Sequence, residues 1–130
     1  MEIRYYDVSI EEIVETLRRA LSGLPEVLVA ILFGSATRRR FVRDIDVAVY
    51  FKSKPDLMDV IHLSGYLEDL IHIPVDVVPL RYSPPSLRLK ALSEGVRLVV
   101  RDGGLLASLM AQALSECEDV GIKLRELRGR

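Results

Sequence analysis

Three aspartates have the spacing expected of ligands for divalent metal ions. Asp44 and Asp46 begin the apolar stretch DIDVAVYF, and Asp76 lies within PVDVV. Because side chains alternate along a β-strand, Asp44 and Asp46 share one face, and Asp76 takes the face opposite its flanking valines. Neighbouring carboxylates repel one another and lose hydration unless a cation lies between them, and Mg²⁺ prefers such hard oxygen ligands. The pattern favours a metal site.

The strand that carries Asp76 decides how strong this prediction is. If it lies beside the strand of Asp44 and Asp46, all three carboxylates meet at one place. That arrangement suits two metal ions, which stabilise the attacking and leaving oxygens of a phosphoryl or nucleotidyl transfer. The alternative is that the acids are solvated charges at the end of a loop, or ion-pair partners of the arginines at 38–40 and 43.

A Gly-Ser dipeptide precedes these acids. Gly34 and Ser35 follow the apolar stretch VLVAILF, and eight residues separate Ser35 from Asp44. Glycine permits a sharp turn, and the amides and hydroxyl that follow it can point at a phosphate. Arg38 lies about one helical turn further on, and its guanidinium group matches triphosphate oxygens. An ordinary loop with a solvated arginine surface is the alternative.

Alternating helix and strand patterns position these residues. Apolar periodicity predicts helices over 9–24, 55–70 and 83–94, and a long C-terminal helix over about 104–128. Apolar stretches predict strands over 27–33, 44–51, 74–80 and 96–102. Ser9 and Glu12 predict a capping box, and Pro79 favours either an edge position for its strand or the end of that strand. We expect an α/β (α+β) fold with a small mixed β-sheet and helices packed on it, in a single domain over residues 1–130.

Composition limits the possible classes of protein. The chain has 130 residues, 49% of them hydrophobic, which suffices for a core. Its 18 basic and 19 acidic residues give a net charge of −1, which argues against direct nucleic-acid binding. A single cysteine, Cys117, provides neither a disulfide framework nor a zinc cluster. With no signal sequence or membrane span in the sequence, we expect a cytoplasmic protein.

The C-terminal helix has a heptad pattern of apolar residues. Such a seam is typical of a helix that pairs with another chain, so it predicts a homo-oligomer or a partner interface. The alternative is that the helix packs on its own domain. The seam consists of Leu106, Met110, Ala113, Cys117, Val120, Leu124 and Leu127.

The order of these motifs resembles the nucleotidyltransferase superfamily of DNA polymerase β. The shared order is strand, Gly-Ser turn, strand with Asp-x-Asp, helix and strand with one Asp, over residues 27–80. The segment SPPSLRLKALSEGVRLVVRD is similar, less specifically, to the ending of the minimal nucleotidyltransferase (MNT, MntA-like) branch. Members of that branch are antitoxins of type VII toxin–antitoxin systems, and their partners are HEPN ribonucleases.

The resemblance implies a polymerase beta-like fold and a specific reaction. A nucleoside monophosphate, expected to be AMP, moves from ATP or another nucleoside triphosphate to a HEPN toxin, with two Mg²⁺ ions. The resemblance assigns the β- and γ-phosphates to Gly34 and Ser35, both metal ions to Asp44 and Asp46, and the metal ion that activates the acceptor hydroxyl to Asp76. Asp76 is also the candidate to accept the hydroxyl proton.

Two other functions stay open at this point. The first is a non-catalytic antitoxin that neutralises its partner by binding alone, with a degenerate site. Arg43 bears on this alternative, because it directly precedes Asp44 and can either pair with phosphate or neutralise the acids. The second is a small nucleic-acid-binding module that uses the arginines of segment 38–43.

Overall fold

The core of the molecule is a mixed four-stranded sheet. The structure is a computed structural model, which describes the backbone of residues 3–128 and the side chains of residues 3–118. The strands and helices follow one another along the chain as β1 (Tyr6–Asp7), α1 (Ile10–Ser22), β2 (Val27–Phe33), β3 (Phe41–Val42), β4 (Ile45–Phe51), α2 (Leu57–Ile71), β5 (Val75–Pro79), α3 (Pro85–Glu94), β6 (Val96–Val100) and α4 (Gly103–Arg128). This order confirms the predicted α/β fold.

The strand order places the acidic segments next to one another. The sheet has the order β5-β4-β2-β6, with β4 antiparallel to β2 and parallel to β5. Strand β6 pairs antiparallel with the other side of β2. The strand that contains Pro79 lies at the sheet edge, as predicted, because a proline cannot donate a hydrogen bond to a second neighbour.

Helices cover both faces of the sheet, which explains why β2 is apolar along its whole length. Leu32, Val47 and Val77 belong to the core cluster that includes residues of α1 and α2. Ile31 and Ala48 point to the opposite face, where they pack with residues of α3 and α4. The alternation of side chains therefore sends Asp46 and Asp76 to this second face, at the end of their strands.

The predicted capping box at the start of α1 is wrong. Ser9 is the N-cap residue, but its side chain forms no capping hydrogen bond. Its hydroxyl donates instead to the Glu11 carboxylate at 3.3 Å, so it does not satisfy the first helical amides. A capping box does occur at α2, where the Asp56 carboxylate accepts from the Asp59 amide at 2.8 Å. The Asp59 carboxylate in turn accepts from the Asp56 amide at 2.9 Å.

Arg101 joins three elements at the end of the sheet that is remote from the aspartates. Its Nε donates to the carbonyl of Val27 at 2.6 Å, where β2 begins. One Nη donates to the carbonyls of Ser22 at 2.9 Å and Leu24 at 2.8 Å, at the end of α1 and just after it. Helix ends leave carbonyls without partners, so this arginine satisfies groups that would otherwise rely on water.

The first half of α4 packs on the domain. Leu106, Leu109 and Ala113 are buried, and Glu116 forms an ion pair with Arg88 of α3. This part of the helix therefore covers its own sheet. Of the predicted seam, Val120, Leu124 and Leu127 lie outside the residues whose side chains are described. Among residues 3–128, no helix combines the length and apolar character that a membrane crossing requires.

A short ribbon beside the sheet was not predicted from the sequence. β1 pairs antiparallel with β3, with Tyr6 opposite Val42. Each strand has only two residues, too few for a periodic pattern. The ribbon holds the segment that connects Gly34 to Asp44, and therefore positions the arginines between them.

Candidate active site

Asp46 and Asp76 lie side by side on neighbouring strands. They are direct partners in the parallel register of β4 and β5, so about 4.8 Å separates their strands. Asp44 immediately precedes β4. Asp46 is partly buried, whereas Asp44 and Asp76 are exposed. Strand β5, which contains Asp76, thus lies beside the strand of Asp46, as the prediction of a metal site requires.

The electrostatics of Asp46 reflect this crowding. Burial, and to a smaller extent the negative charges of Asp44 and Asp76, raise the pKa of its carboxyl from 3.8 to about 6. Together the three acids form a concentration of negative charge, and no ion pair with another side chain of residues 3–118 compensates it. A bound cation would remove this repulsion.

The donor set fits Mg²⁺, although it does not enclose an ion. Within the described residues, no three side chains of His, Cys, Asp or Glu are close enough together to hold a metal ion by themselves. Mg²⁺ typically takes one or two carboxylates and completes its shell with water and substrate phosphates. An open set of carboxylate oxygens is therefore compatible with a metal ion that binds together with a nucleotide.

Gly34 is required next to these acids for two reasons. Its φ of +81° and ψ of −156° lie in a region that is essentially restricted to glycine. In addition, Phe33 pairs with Asp46 across the sheet, and a Cβ on Gly34 would collide with the Asp46 carboxylate. The turn backbone therefore lies directly against the central acid of the site.

A single 3₁₀ turn follows Gly34. Thr37 holds it closed, since its hydroxyl donates to the Gly34 carbonyl at 2.7 Å. Ser35 lies in this turn and shares a cavity of about 320 Å³ with Asp44 and Arg43. The structure therefore brings Ser35 close to the acids. Thr37 was missed in the sequence, because a threonine within an arginine-rich loop gives no signal of this role.

The arginines of segment 38–43 differ in their surroundings. Arg40 forms an ion pair with Asp7 of β1, with its Nε 2.7 Å from the carboxylate, and therefore contacts the β1–β3 ribbon rather than the site. Arg38 is exposed and lines a separate cavity beside Gly34. Arg43 forms no ion pair with a side chain of residues 3–118. The predicted phosphate ligand Arg38 is thus available to a substrate.

Comparison with known families agrees with this geometry. The family described as Polymerase beta, Nucleotidyltransferase matches residues 15–103, which include all the residues of the candidate site. This chain belongs to that family. A candidate protein adenylyltransferase of Methanocaldococcus jannaschii, MJ1215, is 35% identical over 75 residues, covering 54% of this chain and 87% of that protein.

Solved structures share the nucleotidyltransferase fold. A complex of a tri-AMPylated HEPN toxin with an MNT antitoxin from Shewanella oneidensis contains a chain that matches with a TM-score of 0.75, 19% identity and coverage of 93% of this chain and 97% of that one. A toxin–antitoxin complex with AMP-PNP gives a TM-score of 0.71 at 22% identity, covering 94% and 97% of the two chains. At these identities the similarity concerns the fold.

Proposed function

We propose that this nucleotidyltransferase-family protein transfers a nucleoside monophosphate, with AMP the expected one, from a triphosphate to a hydroxyl group of a HEPN-type toxin. One observation carries the proposal. Asp46 lies between its parallel partner Asp76 and the backbone of Gly34, so the acids and the Gly-Ser turn adjoin one another. Few other functions require carboxylates to be held together beside a glycine turn at a cost in stability.

In this proposal Asp44 and Asp46 would hold two Mg²⁺ ions, and Asp76 would help to hold one of them. When bound, the ions would neutralise the triphosphate charge and lower the pKa of the acceptor hydroxyl. Asp76 is exposed on the edge strand, where an acceptor protein can approach it, and its carboxylate would receive the hydroxyl proton. Gly34 and Ser35 bind the phosphates that leave.

The choice of a protein acceptor is supported by the relatives. MJ1215 is named as a candidate protein adenylyltransferase, and a structure of similar fold contains a tri-AMPylated HEPN toxin with its MNT antitoxin. ATP as substrate agrees with the AMP-PNP complex of another chain of the same fold. An ATP-dependent modification of a toxin is therefore the most specific reaction consistent with the site.

The test is transfer of label from each α-labelled nucleoside triphosphate, with Mg²⁺, onto the protein encoded beside this one. Asp44→Asn combined with Asp46→Asn should reduce transfer by at least about 10³-fold, because the metal ligands are removed. Asp69→Asn is a matched control, since this exposed aspartate lies on α2, which packs on the opposite face of the sheet from Asp46 and Asp76. It should retain wild-type transfer.

The same experiment tests the alternative of a binding-only antitoxin. That function is favoured by the open arrangement of the acids and by Arg43, which shares a cavity with Asp44. If none of the four triphosphates labels the partner while wild type and double variant bind it equally, the protein acts by binding and the proposed transfer is wrong.

A further inference from the structure

A cavity of about 360 Å³ lies beside the candidate site, and the residues that α3 contributes to it have no assigned role. Its walls include Phe33 and Gly34 at the end of β2 and Gly95 just before β6. Strand β2 lies between β6 and β4, and β4 contains Asp46. Phe33, the direct partner of Asp46, points to the same face of the sheet. The cavity therefore continues the row of site residues along the end of the sheet.

Close backbone packing forms this cavity. At Gly95, an added Cβ would lie 2.9 Å from the Leu32 carbonyl oxygen and would also contact Ile31. The last turn of α3 therefore rests directly on β2, and it brings Lys90 and Glu94 to the cavity. Gly34 borders the other side of the cavity. Gly95 thus allows the end of α3 to lie against β2, beside the Gly-Ser turn.

The charges in the cavity favour an anion. Arg38 and Lys90 are its two cationic groups, and Glu94 is its one acid. Neither Arg38 nor Lys90 forms an ion pair with a side chain of residues 3–118. Arg40, in contrast, is engaged by Asp7. The cavity therefore presents a net positive charge that the described structure does not use.

The order of residues along the sheet end identifies the anion. From one edge, the strands present Asp76, then Asp46, then Gly34 and finally the Lys90 cavity. An in-line displacement needs the acceptor and the leaving group on opposite sides of the reacting phosphorus. If Asp76 receives the acceptor and Asp46 marks the α-phosphate, the leaving phosphates must extend past Gly34 towards the cavity.

We infer that this cavity binds the terminal phosphates of the nucleoside triphosphate and that Lys90 is a phosphate-binding residue. The inference rests on the proposed transfer, which sets the direction of the nucleotide. Strands β4 and β6 are two strand spacings apart, about 10 Å, which a triphosphate and a flexible lysine side chain can span together. Arg38 would contact the same phosphates from the turn.

The assignment is consistent with a balanced reaction. The acceptor oxygen forms a bond to the α-phosphorus, and the bond from that phosphorus to the α–β bridging oxygen breaks. Pyrophosphate leaves with the electron pair of this bond, and the acceptor proton passes to Asp76 or water. Lys90 would stabilise the negative charge that builds up on the departing pyrophosphate.

Calorimetric titration with Mg²⁺ present tests this site in the full-length protein. The probes are AMP, a triphosphate analogue with a methylene group in place of the α–β bridging oxygen, and inorganic tripolyphosphate. Lys90→Gln should weaken binding of both triphosphates about 5- to 30-fold and leave AMP within about 2-fold, because only the terminal phosphates lose a charged partner. Lys90→Arg should recover most of the affinity.

Lys54→Gln is the matched control, an exposed lysine at the far end of the sheet, and it should bind all three probes as wild type does. Equal loss of AMP and triphosphate affinity in Lys90→Gln would place Lys90 at the nucleoside and overturn the inference. Unchanged affinities would also overturn it, even if wild type transfers nucleotide. Lys90-dependent tripolyphosphate binding without any transfer would contradict the proposed function and retain the phosphate site.

Discussion

The residues at one end of the β2–β4 pair form the candidate active site, whereas those at the other end stabilise the fold. At one end Phe33 pairs with Asp46, and Gly34 lies next to the candidate site acids. At the other end Val27 pairs with Phe51, and both line a mostly apolar cavity of about 550 Å³. Arg101 caps carbonyl groups at this second end. We refer to the two as the acidic end and the apolar end.

The comparison separates residues that stabilise the fold from residues that cost stability. The acidic end contains repelling carboxylates and a backbone conformation restricted to glycine. The apolar end satisfies its backbone with Arg101 and buries apolar surface. It also has the larger cavity, yet the residues that line it include no pair of aspartates in register on neighbouring strands and no glycine with a positive φ. Chemistry, rather than cavity size, distinguishes the candidate site.

Substitution of Gly34 should have the largest effect. Gly34→Ala imposes a disfavoured φ and pushes Cβ into the Asp46 carboxylate, so we expect the free energy of unfolding to fall by about 3 kcal/mol and transfer to fall at least about 100-fold. Denaturant unfolding and the transfer assay measure both. Gly65→Ala is the control, because a Cβ there meets nothing within 4 Å. It should stabilise α2 by up to about 1 kcal/mol. Equal effects of the two substitutions would refute the special role of Gly34.

Substitution of Arg101 should destabilise the fold without affecting chemistry. Arg101→Met leaves several carbonyls without a charged donor, so we expect a loss of about 2 kcal/mol in unfolding free energy. Transfer, measured well below the unfolding temperature, should stay within about 2-fold of wild type. Arg97→Met, at an exposed position of β6 just before Arg101, is the control and should change stability by less than about 0.5 kcal/mol. Loss of transfer in folded Arg101→Met protein would show that the two ends are coupled.

Removal of the Asp46 charge should have the smallest effect on the free energy of unfolding, and it should stabilise the protein rather than destabilise it. Because the folded pKa of Asp46 is raised to about 6, the folded state binds more protons than the unfolded state between about pH 4 and 6. Wild-type stability therefore falls as pH rises through this range. An asparagine side chain stays neutral at every pH, so Asp46→Asn should be more stable than wild type at pH 7 without divalent ions, by about 1 kcal/mol after solvent screening.

Thermal unfolding in EDTA at pH 4 and pH 7 measures this difference, which should nearly vanish at pH 4. Added Mg²⁺ should then stabilise wild type more than Asp46→Asn, because it binds the folded acids. Asp69→Asn should show neither the pH-dependent gain nor the loss of the Mg²⁺ response. An Asp46→Asn protein that is less stable than wild type at pH 7 in EDTA would contradict the assigned repulsion.

The sequence predicted the main elements because their signals are local. Strand β2 is a continuous apolar run, α1 has an apolar face at helical spacing, and Pro79 correctly indicated an edge strand. The capping box failed because Ser9 has a choice of partners that the sequence does not resolve, and its hydroxyl bonds to Glu11. The β1–β3 ribbon was missed because two-residue strands carry no periodic signal.

By itself, the sequence determined which residues of the site carry charge and which face of a strand they share. Alternation in a strand is a local rule, so it predicted the faces of Asp46 on β4 and Asp76 on β5, whereas Asp44 lies just before β4 and outside the strand. Only the tertiary structure decided that Asp76 is level with Asp46 and that Lys90, far along the chain, borders Gly34. Strand order and register depend on how distant apolar faces pack, and no residue spacing in the sequence encodes that packing.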